Sequence, residues 1–142
     1  MHRVKNILIL LITIIFSCDE NPFFIDCRDC VSQEPEYATL LVKLDPGIGG
    51  GLTPSAVVRI YEGKLEDNNL LGTYYIPGRS WETNVTLNKK YTLTATYTDN
   101  HGNTYVAVDS AYPRLRYEKS QCEDACWFVY DRVVKLAIKY SR

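Results

Sequence analysis

Histidine is almost missing from this 142-residue chain: there are two, and one of them, His2, stands at its very start. Any Ser-His-Asp or Cys-His device therefore has His101 as its single candidate base. His101 lies in Asp99-Asn100-His101-Gly102-Asn103, a run of turn residues that also lacks the distal glutamate of a calcium loop. The glycine run ending at Gly51 has no Gly-Lys-Ser/Thr and opens no helical pattern, which excludes a phosphate loop. Net charge is only −1, too close to neutral for a nucleic-acid partner. Methionine occurs once, at position 1, and beyond residue 17 no apolar run is long enough to span a bilayer. The scattered carboxylates read as a solvated surface, with no pair marked out for glycoside hydrolysis. These absences argue against an enzyme and leave no cofactor to assign.

What is present begins with the first 21 residues, MHRVKNILILLITIIFSCDEN. Arg3 and Lys5 form a basic head, and Ile7 to Phe16 is apolar apart from Thr13. Ten helical residues reach about 15 Å, roughly half a bilayer core, so the run suits an export signal and not a membrane span. Ile15-Phe16-Ser17-Cys18 resembles a bacterial lipobox, although Phe16 is bulkier than the usual residue there. The resemblance implies cleavage before Cys18, lipidation of its thiol and attachment to a membrane. Each buried methylene contributes about 0.8 kcal/mol, so two or three acyl chains hold where one would not. Asp19-Glu20-Asn21 resembles the acidic export signal of some Gram-negative surface lipoproteins, which implies an outer-membrane site facing the cell exterior, with the periplasmic face as the alternative.

The expected organisation is a signal peptide over 1–17, a lipidated tether over 18–36 and one domain over 37–142. With Arg3 and Lys5 removed, 14 basic residues face 17 acidic ones, a net of −3. Eleven tyrosines and many β-branched residues favour strands. Strands are expected at Tyr37–Asp45, Ala56–Glu62, Leu70–Ile76, Trp81–Leu87, Tyr91–Thr98, Thr104–Ser110 and Trp127–Tyr140. The clearest is Tyr91–Thr98, where Tyr91, Leu93, Ala95 and Tyr97 alternate with four threonines; the period puts the tyrosine set on the core and the threonines towards water. Residues 111–126 look irregular. Seven strands separated by turn chemistry and no helix pattern predict an all-β, single antiparallel β-sandwich of the transthyretin or immunoglobulin kind.

The segments AVVRIYEG, LLGTYYI and VTLNKKYTLTATYTD resemble the transthyretin-like, carboxypeptidase-regulatory-like sandwiches of bacterial surface proteins over residues 37–140. Lys89-Lys90 stands where that family often has glycine. The resemblance implies a structural, adhesive or carbohydrate-associated role and names no catalytic residue.

Four more cysteines form two pairs, Cys27/Cys30 and Cys122/Cys126. Disulfides are the expected state in an oxidising envelope, against a zinc site built from all four thiolates or a redox-active C-x2-C. Bridges between the pairs would close loops of about a hundred residues, each stabilising by about 4–5 kcal/mol, whereas local bridges would constrain little. Cross-pairing is therefore preferred. For partner contacts, the aromatics Tyr74, Tyr75, Trp127 and Tyr130 are the candidates, with a core or cross-strand role as the competing reading. Tyr74 and Tyr75 are adjacent and must face opposite ways on a strand. Asp109-Ser110-Ala111 resembles an O-glycosylation acceptor, which nominates Ser110. The resulting expectation is a lipid-anchored, non-catalytic envelope protein that contacts protein or glycan. The alternatives are a small envelope enzyme or thiol-redox/zinc protein, and an adhesin or pilus-associated subunit.

Overall fold

The computed structural model describes residues 25–47 and 55–138. Among them, nine strands form three sheets. The first sheet has the order β4-β1-β9, from β1 (Tyr37–Leu44), β4 (Ser80–Thr86) and β9 (Val133–Leu136). The second has the order β3-β2-β5-β6, from β2 (Ser55–Glu62), β3 (Leu70–Pro77), β5 (Tyr91–Thr98) and β6 (Thr104–Ala111). A separate hairpin joins β7 (Arg114–Glu118) to β8 (Cys126–Tyr130).

The alternating patterns of β1, β2 and β5 put Leu40, Val42, Val58, Leu93, Ala95 and Val134 of β9 at full burial in one core between the first two sheets. The all-β sandwich is thus present, with nine strands where seven were expected. Both additional strands arise between residues 111 and 140. Arg114–Glu118, expected to be irregular, forms β7, because Leu115 and Tyr117 alternate with Arg114, Arg116 and Glu118. The single long strand expected over Trp127–Tyr140 is divided at Asp131, whose φ of 56° leaves the extended region. β9 then pairs parallel with β1, Val42 beside Val134, so the sandwich is not purely antiparallel. A parallel pair needs a long crossover, and here the first and last strands are joined through the whole intervening sandwich.

The threonine face of β5 also departs from expectation, since Thr92 and Thr94 are each only 6% exposed. β5 is central. Its threonines lie opposite Tyr61 and Arg59 on β2, and opposite Ser110 and Val108 on β6. Side chains directly across a ladder are close enough to touch, and the larger pair, Tyr61 and Arg59, shields the threonines. Thr92 also donates its hydroxyl to the Gly63 carbonyl at 2.7 Å.

One buried corner joins both sheets. The Tyr97 hydroxyl accepts from the Asp45 N–H at 3.0 Å and donates to the Leu136 carbonyl at 2.7 Å. Asp45, itself buried, accepts from the Gly47 and Ile138 amides at 2.8 Å each. A second corner seals β6 against β9, where the Asp109 carboxylate accepts from the Lys135 N–H at 2.7 Å.

Candidate functional site: the disulfide-clamped hairpin

A two-stranded hairpin outside a larger sheet buries little and is marginal on its own. In β7–β8, Leu115 and Val129 reach the main core, and the remainder is secured by the chain entering from the N-terminal side. Asp26 caps a short 3-10 turn, Cys27–Asp29, by accepting from the Arg28 amide. Val31 then makes an antiparallel bridge with Trp127, through amide–carbonyl bonds of 2.9 and 2.7 Å. Arg132 adds an ion pair to Asp29 at 3.1 Å.

Two disulfides complete the clamp, Cys27–Cys122 and Cys30–Cys126, with sequence separations of 95 and 96. This is the cross-pairing preferred on loop-closure grounds. The Sγ atoms of Cys30, Cys122 and Cys126 lie within 4.8 Å of one another, so the bridges are neighbours. All four sulfurs are engaged in bridges, which leaves no thiolate for a metal or for redox attack while they persist. The described part of the 18–36 segment is therefore bound to the domain at residues 25–31.

Glu118 organises the loop that carries Cys122. Its carboxylate accepts from the Ser120 amide and hydroxyl at 2.9 Å each and from the Lys119 and Gln121 amides, and it pairs with Arg116 at 3.2 Å. These donors, the Ser120 amide first, favour the anion and hold its pKa down to about 2. Asp99 plays the same part in the β5–β6 turn. It accepts from the Asn103 side chain, the Asn103 and His101 amides and the Tyr105 hydroxyl, which also lowers its pKa to about 2. His101 is exposed in that turn and contributes its backbone N–H to it.

The hairpin carries two aromatic–cation clusters, one on each face, because Arg114 and Tyr130 alternate with Tyr117 and Trp127 along the paired strands. Tyr117 and Trp127 lie opposite one another with ring centroids 4.8 Å apart, and Lys119 sits 5.5 Å over Tyr117. Arg114, directly across from Tyr130, lies 4.9 Å over that ring and 5.1 Å over Tyr112. Such contacts fix planar groups at a surface at low entropic cost. Tyr112 and Tyr117 are exposed, while Trp127 and Tyr130 are half-buried.

The four candidate aromatics divide between two places. Trp127 and Tyr130 belong to the two hairpin clusters, and Tyr74 and Tyr75 lie on β3. Tyr74 and Tyr75 do face opposite ways. Tyr74 shares its side of the sheet with Val58 and stacks on Trp81 of the other sheet at 4.7 Å, while Tyr75 pairs with Val57 and is 68% exposed. Ser110 is exposed on β6, next to the Asp109 corner. Cys18 lies outside the described residues. Arg114, Tyr112 and Tyr117 were not singled out from the sequence, although the period-two alternation of Arg114–Glu118 was the signal that would have found Arg114 and Tyr117.

Among the described residues, every buried side-chain nitrogen and oxygen has a hydrogen-bond partner, and no helix is long and apolar enough to cross a membrane. Comparison with protein-family models, curated proteins and solved structures finds no match to this chain.

Proposed function

We propose that this protein is a lipid-anchored accessory protein of the bacterial cell envelope, held at Cys18 on the outer membrane and facing the exterior, which contacts a protein or glycan without catalysis. The observation that carries the reading is the double disulfide between the segment just after Cys18 and the β7–β8 hairpin. Such bridges persist in oxidising compartments, in keeping with an exported chain. They also secure to the domain the stretch through which an anchor would act. The sequence resemblance to transthyretin-like surface sandwiches supports the same role, as do the Tyr117–Trp127 pair and, on the other face of the hairpin, Arg114 over Tyr130, since rings and guanidinium planes stack on sugars and anchor protein contacts.

The test is the intact mass of the protein extracted from native membranes, with thiols alkylated before and after reduction. The reading expects a start at Cys18 carrying lipid mass, and four thiols that alkylate only after reduction. An unlipidated chain overturns the anchor. Glycan mass at Ser110 would appear in the same spectrum. Contact is tested by titrating envelope polysaccharide against Trp127 fluorescence, with Trp127→Phe as the control. A second reading, thiol-redox or zinc chemistry, is favoured by the proximity of Cys30, Cys122 and Cys126. It requires thiols that react on the native protein.

A further inference from the structure

Strands at sheet edges offer unpaired amides and carbonyls to any extended chain, and they are ordinarily protected by charge, proline, bulges or cover. Among the described strands, β3 is the edge that has neither a charged residue nor a covering segment. β4 carries Glu82, β7 carries Arg114 and Arg116, β9 carries Lys135, and β6 carries Asp109, which accepts from the Lys135 N–H. The outer side of β8 holds the Val31 bridge. β3, Leu70-Leu71-Gly72-Thr73-Tyr74-Tyr75-Ile76-Pro77, has β2 as its one lateral neighbour among the described residues and contains no charged residue. Leu70, Leu71, Tyr74 and Tyr75 are all exposed on it. A bulge opposite Ile60/Tyr61 interrupts the regular ladder near Leu71, and Pro77 ends it at the other side.

We propose that β3 pairs antiparallel with β3 of a second copy of this chain, about a two-fold axis through Thr73. The strand is self-complementary in that register. Thr73 meets Thr73 and Gly72 meets Tyr74, with Leu71 of the bulge reaching Tyr75, so no charge is placed opposite any residue. The flanks select the direction. Lys64, Glu66 and Asp67, net −1, precede β3, and the exposed Arg79 follows it. Antiparallel pairing brings the acidic end of each copy to the basic end of the other, whereas parallel pairing would set like against like. The result is a continuous eight-stranded sheet with a closed two-fold interface. The inference stands on β3 alone and does not depend on the lipid anchor.

The experiment is sedimentation of the full chain in detergent with its disulfides intact, together with cysteine cross-linking. Across the axis, Thr73 faces its own copy at a Cα separation of about 5 Å, which a disulfide can bridge. Tyr75 and its counterpart are displaced by four residues, about 14 Å, which a disulfide cannot. The expected result is a reversible dimer in which Thr73→Cys gives a covalent dimer under mild oxidation and Tyr75→Cys does not. Thr73→Glu leaves the monomer intact, because the new carboxylate lies beside Arg59 of its own sheet. It sets two like charges opposite each other in the dimer and lowers the association constant about tenfold. A monomer at about 100 µM overturns the proposal, since that is far above the Kd of a specific pair. So does a dimer indifferent to Thr73→Glu, or one cross-linked as well through Tyr75→Cys as through Thr73→Cys.

Discussion

Replacing Tyr97 by phenylalanine removes one oxygen atom and is expected to be among the costliest single changes in this domain. The ring is 1% exposed and the substitution leaves its packing unchanged. What disappears is the acceptor for the Asp45 N–H, at 3.0 Å, and the donor to the Leu136 carbonyl, at 2.7 Å. Both partners are in buried residues, where each unsatisfied polar group costs about 1–3 kcal/mol. The sum is about 2–6 kcal/mol. In urea, with a slope of about 2 kcal/mol per molar for a domain of this size, the midpoint should fall by about 1–3 M at unchanged slope. Tyr91→Phe is the matched control. Its ring is equally buried, but its hydroxyl makes one bond, to the Thr86 carbonyl of an exposed residue, so about 0.5–1.5 kcal/mol is expected. Equilibrium unfolding followed by tryptophan fluorescence measures both variants. If Tyr97→Phe costs no more than Tyr91→Phe, the hydroxyl does not tie β1, β5 and β9 together and the reasoning fails. An alkaline titration supplies a check: burial raises the Tyr97 pKa, so the neutral phenol is favoured by folding and that contribution is lost only as pH climbs above about 10.

Acid acts on the opposite kind of group. Glu118 and Asp99 have folded pKa values of about 2, below their ordinary values of 4.5 and 3.8, so their contribution is complete above those values and is lost as pH falls from there through about 2. Urea midpoints measured between pH 5 and pH 2 should decline, and Glu118→Gln should flatten the decline; an unchanged slope would count against the loop anchor. Gly72→Ala would place a methyl carbon 2.7 Å from the Tyr74 hydroxyl, driving that ring off Trp81 at a cost of about 1 kcal/mol, read as an altered tryptophan emission together with a lower urea midpoint. Replacing either disulfide alone by serines should cost about 2–3 kcal/mol and replacing both about 7 kcal/mol, measured as urea stability of the three variants. Equal and additive losses of about 4–5 kcal/mol would contradict the loop-closure account.

How far the sequence could be read depended on whether a residue's partners were local. β1, β2 and β5 were legible because the period of two is a property of the chain itself, and their core residues Leu40, Val42, Val58 and Leu93 are fully buried. Cross-pairing of the cysteines could be preferred because loop entropy depends on sequence separation alone. The burial of Thr92 and Thr94 was not legible, since it depends on which strands flank β5. The Tyr97 corner was hidden for the same reason: its partners lie 52 and 39 residues away, and the pattern marks Tyr97 only as a core residue. The division at Asp131 did have a signal, the polar pair Asp131-Arg132 inside an apolar run. The Arg114 array was missed together with β7, because a cation over Tyr130 becomes visible only once the strand opposite it is recognised.

The second disulfide contributes differently from the first. Either bridge alone closes a loop of 95 or 96 residues that encloses the whole sandwich, worth about 4.7 kcal/mol on the entropy model. With one in place, the other closes only the small ring made by Cys27–Cys30 and Cys122–Cys126, nine residues, worth about 2.6 kcal/mol. The expectation of 4–5 kcal/mol for each bridge therefore counts the large loop twice. What the second bridge adds is direction. A segment held by one bridge can swivel about it; held by two, and by the Val31–Trp127 bridge beside them, it has one path along the hairpin. A protein that needed only stability would gain more from a second bridge placed to close another large loop. Neighbouring parallel bridges are the arrangement that fixes how the N-terminal segment meets the domain, and in an anchored protein that geometry decides which surface the domain presents.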